Sequence, residues 1–171
     1  CFASWAKPPV YGGNGRDHIE HAVGTASLAR LVALQAGMDA DEAFTHALLH
    51  DIGKLFLLKL QSEFVRRGGD APGENEVARV TVDEHAGVGG LALQFWGLPV
   101  SIREPVQWHH APLDAPTHAR AAAVTYVANR LGHRYGFGCD AERDETLLED
   151  PMYRALGLSD AWLADVDQQA S

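Results

Sequence analysis

The segment Leu48-Leu49-His50-Asp51-Ile52-Gly53-Lys54 sets an imidazole and a carboxylate side by side, where a glycine interrupts an apolar helical pattern. At such a break both side chains can turn toward one site. A nitrogen donor next to an oxygen donor suits a divalent first-row metal, and a carboxylate can bridge two ions. Alone, the dipeptide has a plainer explanation, with His50 ending one helix and Asp51 capping the next. The wider arrangement changes that balance.

Nine histidines occur, at positions 18, 21, 46, 50, 85, 109, 110, 118 and 133. His21 falls within a helical pattern, with Asp17 one turn before it on the same face. His85 starts a further helical stretch, His109-His110 end another, and Asn129 lies on the next. Each apolar helix therefore offers one or two imidazole, carboxylate or amide groups, as in metal sites built inside helical bundles. Burying so many imidazoles without partners would be costly, and a shared metal centre accounts for them together.

The elements that must position these groups follow from periodicity. Residues 1–16, with Pro8-Pro9 and a glycine-rich run, read as an extended lead-in, and residues 17–171 as a single helical domain. Ile19, Val23, Ala26, Ala29, Leu31 and Ala33 mark a first helix stopped by Gly37. Asp39 or Asp41 caps a second helix running to His50, and Lys54 to Arg66 forms a third. Helices are expected from Glu74 to Glu84 and from His85 to Trp96, the latter closed by Gly97-Leu98-Pro99. Pro99 suits the first turn of a helix carrying Ile102, Val106 and the His109-His110 pair. Thr117 to Leu131 is strongly helical, and short helices follow around 144–149, 151–156 and 159–167. No segment alternates with period two, so an all-α bundle is expected.

The chain has 171 residues and a net charge of −9, which disfavours a long polyanion as partner. A small phosphorylated ligand or nucleotide remains compatible. The longest uncharged stretch, Ala86 to Ile102, is short and broken by glycine and proline, so no membrane span is expected. With no leader pattern in the first sixteen residues, a cytoplasmic setting is expected. The first residue is cysteine, which suggests a piece of a longer protein. Cys1 and Cys139 are too far apart in sequence for a metal knuckle.

Three segments carry a resemblance: ALLHDIGKLFLL (47–58), HAGVGGLALQFWGLPVSIREPVQWHH (85–110) and VTYVANRL (124–131). Together they resemble the HD superfamily and, within it, the HDOD branch of bacterial signalling domains. The resemblance implies an HD-like helical bundle in which His21, His50 and Asp51 hold a first metal, Asp51 bridging to a second. His85, His109 and His110 match the additional histidines of binuclear HD phosphodiesterases, including the HD-GYP branch. Lys54 matches a lysine facing the substrate phosphate, and Asp17 an acidic position some members use for an extra ion. The implied cofactors are two divalent transition metal ions, such as Fe, Mn, Ni or Zn. Two departures stand out. The final metal-binding Asp of the superfamily is Asn129 here, and the Gly-Tyr-Pro signature is missing.

The implied reaction is two-metal hydrolysis of a small phosphate ester, with Asp51 and Lys54 as the catalytic pair. The alternative is a signalling or scaffold domain that keeps ligands, contacts other signalling domains or proteins, and catalyses nothing. Residues outside the matched positions take plainer readings. His18 is expected ahead of the first helix as a surface or capping residue. His46 is a partner of the ligands or a solvated histidine, and His118 and His133 are structural. Trp96 and Trp108 are core packing, Glu84 and Glu104 surface charges, and Arg130 a surface ion pair.

Overall fold

The computed structural model describes residues 15–137 and 146–170. The expected lead-in and Cys139 lie outside these residues. The described residues form α-helices and short 3₁₀ turns without strands: α1 (Gly15–Gln35), α2 (Ala40–Leu49), α3 (Ile52–Arg66), α4 (Glu74–Phe95), α5 (Val100–Gln107), α6 (Ala119–Arg134), α7 (Pro151–Ala155) and α8 (Asp160–Ala170). The 3₁₀ turns are Pro112–Asp114 and Leu147–Glu149.

Local chemistry sets most boundaries. Gly37, at φ +67°, ends α1 in a left-handed turn that a side chain would strain. The Asp39 carboxylate then accepts the Asp41 and Glu42 amides, both at 2.9 Å, and starts α2. Between α2 and α3 stand only His50 and Asp51, and Asp51 takes φ −97° and ψ 8°. Successive residues of an unbroken helix diverge by about 100° around its axis. The Asp51 backbone departs from that geometry at the position where the imidazole and carboxylate must converge.

Two expectations are corrected here. α4 is one helix of 22 residues, so His85 lies well inside it rather than at a start. Asp83 meets Arg79 at 3.7 Å, one turn back along the same helix. α5 ends at Gln107, which leaves His109 and His110 in the turn beyond it rather than on the helix.

The larger core joins α1, α2, α6, α7 and α8 through residues such as Ala29, Val32, Ala47, Val124, Val127, Leu131 and Tyr153. Small side chains on α1 and α6 let these helices approach closely. A Cβ on Gly132 would sit 2.6 Å from Thr25 Oγ1. A second, smaller core of Ile52, Leu93, Ile102 and Val106 joins α3, α4 and α5. The candidate residues come from elements of both cores. No helix among the described residues is long and apolar enough to cross a membrane.

Candidate metal centre

The fold brings His21 from α1, His50 and Asp51 from the α2–α3 junction, His85 from α4, His109 and His110 from the turn after α5, and Asn129 from α6 to one place. Their potential ligand atoms fall into two groups. One is His21, His50 and Asp51; the other is His85, His109 and His110. Within each group these atoms lie within 4.8 Å of one another. Asp51 links the groups: its Oδ2 lies 3.4 Å from His50 Nε2 and 3.8 Å from His21 Nε2, and its Oδ1 lies 3.2 Å from His85 Nε2.

Main-chain carbonyls orient the imidazoles. Nδ1–H donates to Phe137 O at 3.1 Å in His21, to Ala47 O at 2.6 Å in His50 and to Val106 O at 2.7 Å in His109. In His85 it faces Thr81 O and Val82 O, each at 2.9 Å. A carbonyl only accepts, so these contacts assign the proton to Nδ1. In the neutral ring they leave Nε2 as a bare lone pair, the arrangement metal-ligating histidines adopt. Every one of these Nε2 atoms points into the cluster.

Burial keeps several of the rings neutral. It pushes His50 and His110 down to about 4, and His109 well below its ordinary value. Burial would raise the Asp51 carboxyl, but His50, His85 and Lys54 outweigh it and hold the carboxyl well below the usual range. Lys54 Nζ donates to Asp51 Oδ2 at 2.7 Å and stays partly accessible, the one ammonium seated on the cluster among the described residues.

The donor set fits divalent ions. His50 Nε2 and Asp51 Oδ1 are fully buried with no hydrogen-bond partner among the described residues. His85 Nε2 has His110 Nε2 at 3.0 Å, Asp51 Oδ1 at 3.2 Å and His109 Nε2 at 3.3 Å around it. Tetrahedral ligands at about 2.0–2.1 Å from an ion stand about 3.3 Å apart from each other. Acceptors crowded this closely repel one another unless a cation sits between them.

The remaining residues divide. Asn129 meets His21 Nε2 at 3.0 Å. Asp17 lies on α1 but joins neither ligand group. His18 falls inside α1, not ahead of it. It is near enough to Asp51, Lys54 and His21 for their charges to act on it, and His133 stacks on His21 with ring centroids 4.9 Å apart. Both histidines thus border the site, although neither matches a ligand position. The available signal was spacing: His18 precedes His21 by three residues and His133 follows Asn129 by four, each on the same helical face.

His46 is buried and contacts Thr125 Oγ1 at 2.8 Å, away from both ligand groups. Glu104 is not a surface charge. It is 5% exposed and accepts the Thr117 hydroxyl and amide, each at 2.6 Å, with His118 Nδ1 at 2.9 Å. Trp96 is half exposed against Phe56 and not core packing. Arg130 faces away from the centre and pairs with Asp150, the N-cap of α7.

Comparison with known proteins places this arrangement. An all-helical fold with an internal histidine–aspartate centre defines an HD-type domain. A family model for the HDOD domain matches residues 4–112, and the chain belongs to that family. Among curated proteins it is similar to ribonuclease Y of Petrotoga mobilis, 28% identical over 123 residues, covering 70% of this chain and 20% of that protein. It is also similar to ribonuclease Y of Opitutus terrae, 39% identical over 61 residues, covering 32% of this chain and 12% of that protein. The chain thus spans a fifth or less of these relatives' length.

Two solved structures share the fold. An HDOD-domain protein of unknown function from Geobacter sulfurreducens has a TM-score of 0.71 and 22% identity, over 98% of this chain and 62% of that one. A protein from Shewanella amazonensis, provisionally assigned as a phosphohydrolase, has a TM-score of 0.61 and 22% identity, over 89% of this chain and 58% of that one.

Proposed function

We propose that this HDOD domain is a metal-dependent phosphohydrolase that cleaves a small phosphodiester at a binuclear centre. The observation that carries the reading is the gathering of five imidazoles in two groups that the Asp51 carboxylate joins, with the Lys54 ammonium at its edge. Divalent ions held by His21, His50, Asp51, His85, His109 and His110 supply Lewis acidity and a water acidified toward neutrality. Asp51 offers one oxygen to each ligand group. Lys54, already held at 2.7 Å from that carboxylate, positions and neutralises a phosphate oxygen of the ester. No serine or cysteine nucleophile is required. The ribonuclease relatives support a phosphodiester as the bond class, and the net charge of −9 favours a short substrate over a long polyanion.

A second reading, a signalling domain without turnover, is favoured by one observation, the neutral Asn129 where the superfamily carries a metal-binding Asp. Hydrolysis of bis(p-nitrophenyl) phosphate, cyclic dinucleotides and short RNA oligomers, measured with added Mn, Fe, Ni or Zn, separates the two. The proposal expects turnover that disappears in Asp51→Ala. Turnover that survives in Asp51→Ala overturns the chemistry, and absence of turnover with every metal and substrate leaves the signalling reading.

A further inference from the structure

We propose that the two halves of this centre load unequally and that Asn129 makes them differ, an inference that rests on the metal-dependent reading above. On the His85 side, Nδ1–H of His85 and of His109 are both committed to main-chain carbonyls, so two bare Nε2 atoms face each other at 3.3 Å. The unpartnered Asp51 Oδ1 adds a third acceptor, 3.2 Å from His85 Nε2. His110 can lend one proton to His85 across 3.0 Å, but the His109 lone pair remains opposed. A single proton on His85 Nε2 cannot serve Asp51 Oδ1, His109 Nε2 and His110 Nε2 together, whereas a divalent cation can.

The His21 side differs. His21 Nδ1–H donates to Phe137 O, and its Nε2 meets Asn129 Oδ1 at 3.0 Å in a buried contact. An amide carries both a donor and an acceptor. With Oδ1 facing it, an imidazolium gives its own N–H to the amide oxygen; a neutral His21 takes the amide N–H once the amide is turned over. Either way the pair is satisfied without an ion. A carboxylate at position 129 can only accept: it would pair with an imidazolium or stand opposed to a neutral His21, and in either case it brings to this half-site a negative charge that the amide lacks.

An ion entering beside His21 and His50 must therefore break a buried hydrogen bond and, with neutral His21, turn the amide over. It also gains no charge from residue 129. His50 and Asp51 still favour its binding, so this half-site is weak rather than abolished. The centre holds one ion firmly with His85, His109, His110 and Asp51, and takes a second only when free metal is abundant.

Metal-stripped protein titrated with Co²⁺, followed by calorimetry and by visible d–d absorption, tests this directly. Wild type is expected to bind about one ion tightly and a second at least about tenfold more weakly. Asn129→Asp should bring the second affinity up to within a few-fold of the first. His21→Ala should keep the tight ion, and His85→Ala should lose it. Circular dichroism checks that each variant folds. If Asn129→Asp does not, the wild-type isotherm with the two alanine variants decides.

Two equal sites in wild type, an unchanged second affinity in folded Asn129→Asp, or loss of the tight ion in folded His21→Ala overturns the proposal. No Co²⁺ binding at all overturns both this inference and the metal-dependent reading. Unequal binding without hydrolysis supports the inference and counts only against catalysis.

Discussion

Gly53 lies against the main chain of His85 so closely that a Cβ on Gly53 would fall 1.8 Å from the His85 carbonyl oxygen. The same Cβ would stand 2.7 Å from the Gly89 amide nitrogen. α3 therefore starts in direct backbone contact with α4, and the Asp51 carboxylate reaches His85 because no side chain separates the two helices.

Gly53→Ala should force α3 away from α4. The expected cost is about 3 kcal/mol, at the upper end for overpacking a close contact. Urea denaturation should show the lower midpoint. The metal content of the folded fraction should fall too, since Asp51 moves with Gly53.

Asp51→Ala should remove the group that links both halves of the centre. Loss of residues that merely support a ligand costs 10–100-fold in metal affinity, so loss of the shared ligand is expected to cost at least about 100-fold. Elemental analysis after desalting reads this out. Because the Asp51 side chain makes no capping hydrogen bond to α3, helicity should be retained.

Lys54→Met should separate binding from positioning. The ammonium touches the carboxylate rather than standing among the ligand nitrogens, so metal stoichiometry should hold while KM for a phosphodiester rises by about tenfold or more. A loss of metal equal to that of Asp51→Ala would place Lys54 in the ligand scaffold instead.

Acid should unfold the protein in two stages. Burial pushes His46 down to about 4 from 6.5, and the His118 charge acts in the same direction. The folded state therefore resists protonating a ring that the unfolded chain protonates readily. The stability from keeping it neutral is full above about pH 6.5 and lost as pH falls toward 4. Burial would raise the Glu104 carboxyl, but hydrogen bonds from Thr117 and His118 prevail and hold it at about 2. Its contribution is full above about pH 4.5 and lost as pH falls toward 2. Each shift corresponds to about 3 kcal/mol. Thermal unfolding across pH 2–8 should show both losses, with His46→Gln reducing the upper one, which His50, His109 and His110 share, and Glu104→Gln reducing the lower one, which Asp51 shares.

The all-helical architecture was legible because apolar spacing, Gly37, Asp39 and Pro99 all point the same way. The gathering of His21, His50, Asp51, His85, His109 and His110 was legible for a different reason. Each is a chemistry-bearing side chain on or beside an otherwise apolar helical stretch. What escaped the sequence depends on partners distant in the chain. Glu104 looks like a surface charge until Thr117 and His118 arrive over it from the start of α6. The continuity of α4 was hidden because the charged pair Asp83-Glu84 interrupts the apolar pattern ahead of His85, although both lie exposed on one continuous helix. His18 and His133 match no ligand position, and only the packing of α6 on α1 brings them to the rim.

The contact between His21 and Asn129 spans 108 residues of chain, and that between His21 and Phe137 spans 116. Closing a loop of that length is slow compared with forming any single helix, and no fragment ending before α6 contains it. The His21 half of the centre thus comes into being only when the last large helix docks on the first. Assembly of that half is a timer for completed folding, whereas Asp51, His85, His109 and His110 all precede α6 in the chain.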